Sequence, residues 1–166
     1  VTLEEIRLRN AKRKEEMQAS NAVQFISLKQ DQDAVVVKLI PPFEGYLRPV
    51  KNMQGEWKEK VHYRMHKLGD FNLNARKNLS DPPTDLTIDD VRALKDTDAL
   101  IWTTPITAAD GFRRETDKGH SILLVTRNGV AKDTKTTYSV LNATQIDDED
   151  WDYLLPNMSK ADISKL

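Results

Sequence analysis

One stretch, Phe43–Lys67 (FEGYLRPVKNMQGEWKEKVHYRMHK), interleaves aromatic rings with cations. Phe43, Tyr46, Trp57 and Tyr63 share it with Arg48, Lys51, Lys58, Lys60, Arg64 and Lys67. Open ring faces stack on nucleobases, and ammonium and guanidinium groups track a phosphate backbone, so this mixture has the ingredients of a strand-binding surface. The competing reading is an ordinary two-stranded ribbon with packing aromatics and solvated charges.

Other chemistry finds less support. His62 and His66 are four apart, with His120 as a third imidazole. On a strand the first two share a side but stand about 13 Å apart, too far for one ion; only a helical segment would bring them together. Cysteine is absent, which removes thiolate nucleophiles, thiolate zinc sites and disulfides. The glycines are scattered singly, so no phosphate-cradling loop is present, and no serine has the setting of a hydrolase nucleophile. The acidic run Asp147–Asp150 reads as a solvated end segment rather than a cation site. No enzyme activity, cofactor or metal is expected.

The elements that would position these residues follow from periodicity. Thr2–Ala19 reads as a helix with a Thr2/Glu5 capping box, a sparse apolar stripe (Ile6, Leu8, Met17) and the cations Arg7, Arg9, Lys12, Arg13 and Lys14. Such a helix docks lightly or projects, as a solvated end or as an arm toward nucleic acid or a second subunit. Val23–Leu28 and Ala34–Ile40 read as strands, the second rich in β-branched residues and closed by Pro41-Pro42. Gly45–Lys51 and Glu56–His66 pair as a hairpin across Asn52–Gly55. Alternation in the second arm puts Trp57, Glu59, Val61, Tyr63 and Met65 on one side and Lys58, Lys60, His62, Arg64 and His66 on the other. That division separates Trp57 and Tyr63 from the basic residues, so these two rings are either core or brought round by a bulge.

Leu68–Pro83 reads as a long loop carrying Arg76 and Lys77. Thr87–Leu94 is a short capped helix, Ala99–Thr104 a strand, and Thr107–Gly119 a polar loop with Arg113, Arg114 and Lys118. Ser121–Thr126 and Thr136–Leu141 are strands joined through Asn128-Gly129. Ile146–Met158 is acidic, with Trp151, Leu154 and Leu155 on one side of a short helix. The expected fold is mainly β: a small OB-like barrel with an N-terminal helix and a short C-terminal helix, a β-sandwich being the alternative. The expected division is a helical arm over residues 1–20, a barrel over 21–145 and an acidic segment over 146–166.

A chain of 166 residues, 39% apolar and 31% charged, suits one soluble domain with a real core. No apolar run reaches the length of a membrane span, the first twenty residues are not a secretory signal, and an intracellular location is expected. The net charge of −1 hides an uneven distribution. Residues 1–140 hold 23 Lys/Arg against 20 Asp/Glu, and residues 141–166 hold 2 against 6. Arg48–Lys77 holds 8 cations and 3 acids, a local basic band. Bulk charge is too small to coat a duplex, and no helix-turn-helix spacing is present, but a groove for one strand remains open.

Three segments carry a resemblance to bacteriophage single-stranded-DNA-binding proteins of the helix-destabilising type. They are the polar N-terminal helix leading into FISLKQDQDAVVVKLIPP, the basic aromatic hairpin, and ILLVTRNGVAKDTKTTYSVLNATQIDDEDW. The resemblance spans about half of the chain and implies an OB-fold that binds one DNA strand, in the host cytoplasm, during phage replication or recombination. It also implies an acidic C-terminal region that contacts replication or recombination proteins or regulates access, and self-association through the N-terminal segment. The zinc subdomain of some relatives uses cysteines and is not carried over.

On this reading Arg48, Lys51, Lys58, Lys60, Arg64, Lys67, Arg76 and Lys77 contact phosphates. Tyr46, Trp57, Tyr63 and Trp102 are the stacking candidates, and Arg113, Arg114 and Lys118 close the groove from a loop. The alternative function is a phage structural or assembly accessory, a β-rich interaction module.

Overall fold

The computed structural model describes residues 2–8, 28–79, 85–130 and 136–166. Helical residues 3–8 (α1) are followed by β1 (Asp33–Ile40), β2 (Tyr46–Lys51), β3 (Trp57–Asn72), α2 (Ile88–Arg92), β4 (Leu100–Thr103) and α3 (Ile106–Asp117). Then come β5 (Ile122–Asn128), β6 (Thr137–Asn142), α4 (Asp148–Leu154) and α5 (Lys160–Ile163). The fold is mainly β, one antiparallel sheet of six strands. Most of the expected N-terminal helix and of the Val23–Leu28 strand lies outside the described residues. Glu5 N–H does donate to the Thr2 hydroxyl at 3.2 Å, as the capping box requires. No helix among the described residues is long and apolar enough to cross a membrane.

β3 organises the sheet. His62 pairs with Tyr46 of β2 and with Thr103 of β4, while Met65 pairs with Leu39 of β1 and with Leu100 of β4. A strand has two hydrogen-bonding edges, so β1 and β2 lie end to end along one edge of β3 and β4 takes the other. Between the Ile40–Arg64 and Tyr46–His62 pairs, residues 41–45 loop out opposite Tyr63 alone. Gly45 closes that excursion at φ +73°, and a Cβ there would meet the His62 carbonyl and the Tyr63 ring at 2.9 Å. Outward from β1 lie β5 and then β6.

β1 is buried on both faces, which is why its sequence is a continuous run of β-branched residues rather than an alternation. One face meets Leu68, Phe71, Ile122, Leu124 and the C-terminal residues Ile146, Trp151, Leu154, Leu155, Met158 and Ile163. The other meets Tyr63, Met65, Leu123, Val125 and Val140 under Ala109 and Phe112 of α3. The register slips between Val36 and Val37, which adds Leu68 as an extra residue in β3. This bulge turns both Leu68 and Phe71 toward the C-terminal helices.

Two expectations are corrected. Leu68–Asn72 is not a loop but the buried end of β3, its low apolar count offset by Gly69, where the backbone of Leu154 lies directly on the sheet. Thr107–Gly119 is not a polar loop: Ile106–Asp117 forms α3, whose Ala108, Ala109, Phe112 and Glu115 are buried. The sheet itself is not closed: among the described residues no ladder joins β4 to β6. Trp102 of β4 and Tyr138 of β6 meet ring to ring at 5.6 Å, and Phe112 of α3 stands against Trp102 at 6.1 Å. α3 thus packs where closing strands would pair.

The acidic end is folded. Trp151 is buried and donates its indole N–H to the Met158 carbonyl at 2.7 Å, and the Tyr153 ring stacks on Phe71 at 4.9 Å. Asp147, Asp148, Glu149 and Asp152 face solvent, as expected of the polar side of a short amphipathic helix.

Two outcomes follow. Replacing Gly69 with alanine drives a Cβ onto the Leu154 carbonyl oxygen; chemical denaturation is expected to show a loss of about 1–3 kcal/mol. The buried Glu115 carboxylate accepts from His120 at 2.9 Å and lies near Lys118 and Arg114; these contacts, His120 first, hold its pKa below the ordinary value of 4.5. Its contribution is therefore whole above that value and disappears as pH falls through the lower folded value. The thermal midpoints of the native chain and of Glu115→Gln are expected to differ at neutral pH and to converge in acid.

Candidate nucleic-acid interface

The two arms of the β2–β3 hairpin run beyond the cores, and Trp57–Lys60 are exposed on both faces of the strand. Asn52 shapes its turn: the side-chain oxygen accepts from Gln54 N–H at 3.0 Å and Glu56 N–H at 2.8 Å, while Gly55 takes φ +82°. Directly opposed residues share a face. Tyr46 with His62, Arg48 with Lys60, and Val50 with Lys58 occupy one; Leu47 with Val61, Pro49 with Glu59, and Lys51 with Trp57 occupy the other.

The first face continues along β3 through Arg64 and His66 and across to Lys38, the partner of His66 on β1. Lys38, Arg48, Lys58, Lys60 and Arg64 therefore lie on one sheet surface, and no strand places a carboxylate there. Arg64 donates to the backbone carbonyl of Asp96. Arg48, Lys58 and Lys60 form no ion pair among the described residues. Arg48 directly opposite Lys60 is a like-charge pair, unfavourable in a sheet unless an anion joins it.

The aromatic group on this face is Tyr46, half-buried and stacked on His62 with ring centroids 5.8 Å apart and planes 25° from parallel. His62 is buried, and its ring is engaged at both nitrogens: Nδ1 with the Lys60 carbonyl at 3.0 Å and Nε2 with the Thr103 hydroxyl at 2.9 Å. His66 is also buried, and desolvation, reinforced by Lys38, holds its pKa below the ordinary histidine value despite Asp96 and Asp98. It adds no charge to the face at neutral pH. Both histidines are on β3, and among the described residues no group of three His, Cys, Asp or Glu side chains is placed to hold a metal.

The remaining expected contacts scatter. Tyr63 is fully buried against Phe112 and cannot meet a base, and Trp102 is half-buried among Phe112 and Tyr138. Trp57 is 68% exposed, which excludes a core role, but it faces away from the cationic surface beside Lys51. Lys67 pairs with Asp70 at 3.3 Å, and Arg76 pairs with Asp150 beyond the far end of β3, next to exposed Lys77. Arg114 donates to the Val140 carbonyl at 2.6 Å, and Lys118 lies 3.8 Å from Glu115. Arg114 is on α3 and Lys118 caps its C-terminus, and both serve the fold rather than a mobile lid. Arg113, also on α3, lines an open groove of about 640 Å³ with Val61, Pro105 and Ile106 on the opposite surface.

Lys38 and Thr103 were not singled out by sequence, and His62 was read only as a possible metal partner of His66 and as part of the basic face. Lys38 interrupts an apolar strand, and a lone cation in such a run marks a position where one sheet face opens to solvent. That was the available signal. Thr103 had none, because its meeting with His62 depends on β4 pairing with β3.

The fold and surface define an antiparallel β protein with a projecting cationic hairpin. No protein-family model matches the chain, and it matches neither a curated protein nor a solved structure.

Replacing Arg48 with threonine is expected to raise stability by a few tenths of a kcal/mol at low salt by relieving the repulsion with Lys60. The gain should shrink as salt screens the pair; denaturant midpoints at two ionic strengths measure both.

Proposed function

We propose that this chain binds single-stranded DNA without sequence preference along the Lys38–Arg48–Lys58–Lys60–Arg64 face. The observation that carries the reading is the collection of five cations and one part-exposed aromatic, Tyr46, on a sheet face where the paired strand positions hold no carboxylate, Asp96 and Asp98 bordering it beside His66. Phosphates are taken by the cations and an unstacked base by Tyr46. Backbone contacts with stacking carry no base code, so no sequence preference is expected. A role in phage replication or recombination accords with the sequence resemblance. The exposed carboxylates of α4 would then offer a contact for partner proteins from a folded helix.

A second reading, an assembly module, is favoured by the other face of the hairpin. Leu47, Trp57 and Ile106 are 63%, 68% and 79% exposed there, with the groove between hairpin and α3 beside them.

Titration with oligo-dT, followed by anisotropy of a labelled strand, separates the two. Binding is expected to weaken with rising salt, with a log–log slope of about 0.7 per phosphate neutralised. The double substitution Lys58→Ala/Lys60→Ala is expected to reduce that slope by about 1.4. Absence of salt-sensitive binding by the native chain would sink the nucleic-acid reading and leave the apolar face as the functional one.

A further inference from the structure

Tyr46 begins an edge strand, directly after the 41–45 excursion, where a side chain ordinarily keeps much of its rotamer freedom. Its ring is nevertheless flanked by an imidazole that cannot turn. A carbonyl only accepts, so His62 Nδ1 carries the proton donated to the Lys60 carbonyl, and in the neutral ring Nε2 accepts from the Thr103 hydroxyl. The imidazole is thereby pinned from two strands, within β3 and from β4, and Tyr46 stacks on it at 25° from parallel. An apolar residue at 62 would fill the same buried space; two hydrogen bonds that set the plane of one ring do something further. Arg48 and Lys60, the next opposed pair on this face, lie beside the stacked rings.

We infer that His62 is a positioning residue, held by Thr103, that fixes the Tyr46 ring as a preformed platform for an unstacked base beside the Arg48–Lys60 phosphate contact. The inference rests on the proposed strand binding and deepens it. A residue whose own geometry is locked by supporting hydrogen bonds binds without first surrendering rotamer freedom. Thr103 and His62 would then control preference for base-bearing strands while leaving backbone attraction untouched.

The test compares two ligands of equal length, oligo-dT and an abasic deoxyribose-phosphate strand, over a range of salt. The native chain is expected to prefer oligo-dT by about fivefold or more, and Tyr46→Ala to remove that preference. Thr103→Val, which deletes the Nε2 partner, is expected to lower the preference by about two- to fivefold with the salt slope unchanged. Thr103→Ser, which keeps the hydroxyl, is expected to restore it. Thermal unfolding identifies a variant that fails to fold; His62→Phe, which keeps a ring and loses both hydrogen bonds, then replaces Thr103→Val and is expected to give the same partial loss.

A preference unchanged in Thr103→Val and His62→Phe but lost in Tyr46→Ala overturns the positioning role. A preference that survives Tyr46→Ala overturns the platform, with strand binding intact. If the native chain binds neither ligand, the strand-binding reading fails and the inference falls with it.

Discussion

The structure depends on the sixteen-residue strand β3 pairing with three other strands at once. Its C-terminal half sits between β1 and the helices that cover both faces, while Trp57–Lys60 run past that cover with β2 as their paired strand. Burial along it therefore changes from wholly exposed at Trp57–Lys60 to wholly buried at Leu68–Asn72. The hairpin is projected by a core to which it contributes little. Tyr63 marks the junction: its ring is locked against Phe112 on one side and covered by the 41–45 excursion at Gly45. A rigid root is what allows a two-stranded arm, marginal by itself, to hold a defined surface.

The acids of the chain determine which cations remain available. Asp70 engages Lys67, Asp150 engages Arg76, and Glu115 lies among Arg114, Lys118 and His120. Arg76–Asp150 ties the turn after β3 to α4, while the other pairings lie within β3 or around the end of α3. Arg48, Lys58 and Lys60 stand where the strands supply no acid, and two of them oppose each other directly. Surface repulsion of this size is small against the whole stability of a domain, so the fold tolerates it. A polyanion would relieve it.

The C-terminal segment changes character once its packing is seen. Its acids suggest a tail, yet Trp151, Leu154, Leu155, Met158 and Ile163 form much of one core face. A segment that would swing free to compete for the cationic face would expose that core, so the acids act from a fixed position. α3 shows a related effect on the opposite side. Its pattern of Ala108, Ala109, Phe112 and Glu115 is too thin to read as an amphipathic stripe against the charges around it. Small residues pack well there because Gly111 and Ala109 let the helix axis approach β6 and the sheet closely.

By itself the sequence determined the local periodicities: the β-branched strand β1, the Asn52–Gly55 turn, the capped helix at Thr87, and the separation of Trp57 and Tyr63 from Lys58, Lys60 and Arg64. These follow from side-chain alternation and turn chemistry, which act over a few residues. Only the tertiary structure decided that Tyr63 is core and Trp57 is not, that Leu68–Asn72 extends the strand through a bulge, and that α3 sits where a barrel would close. It alone brought Lys38 onto the cationic face and set Thr103 against His62. Those outcomes depend on where β3 gains and loses its neighbours, and strand register is a long-range property that no local pattern contains.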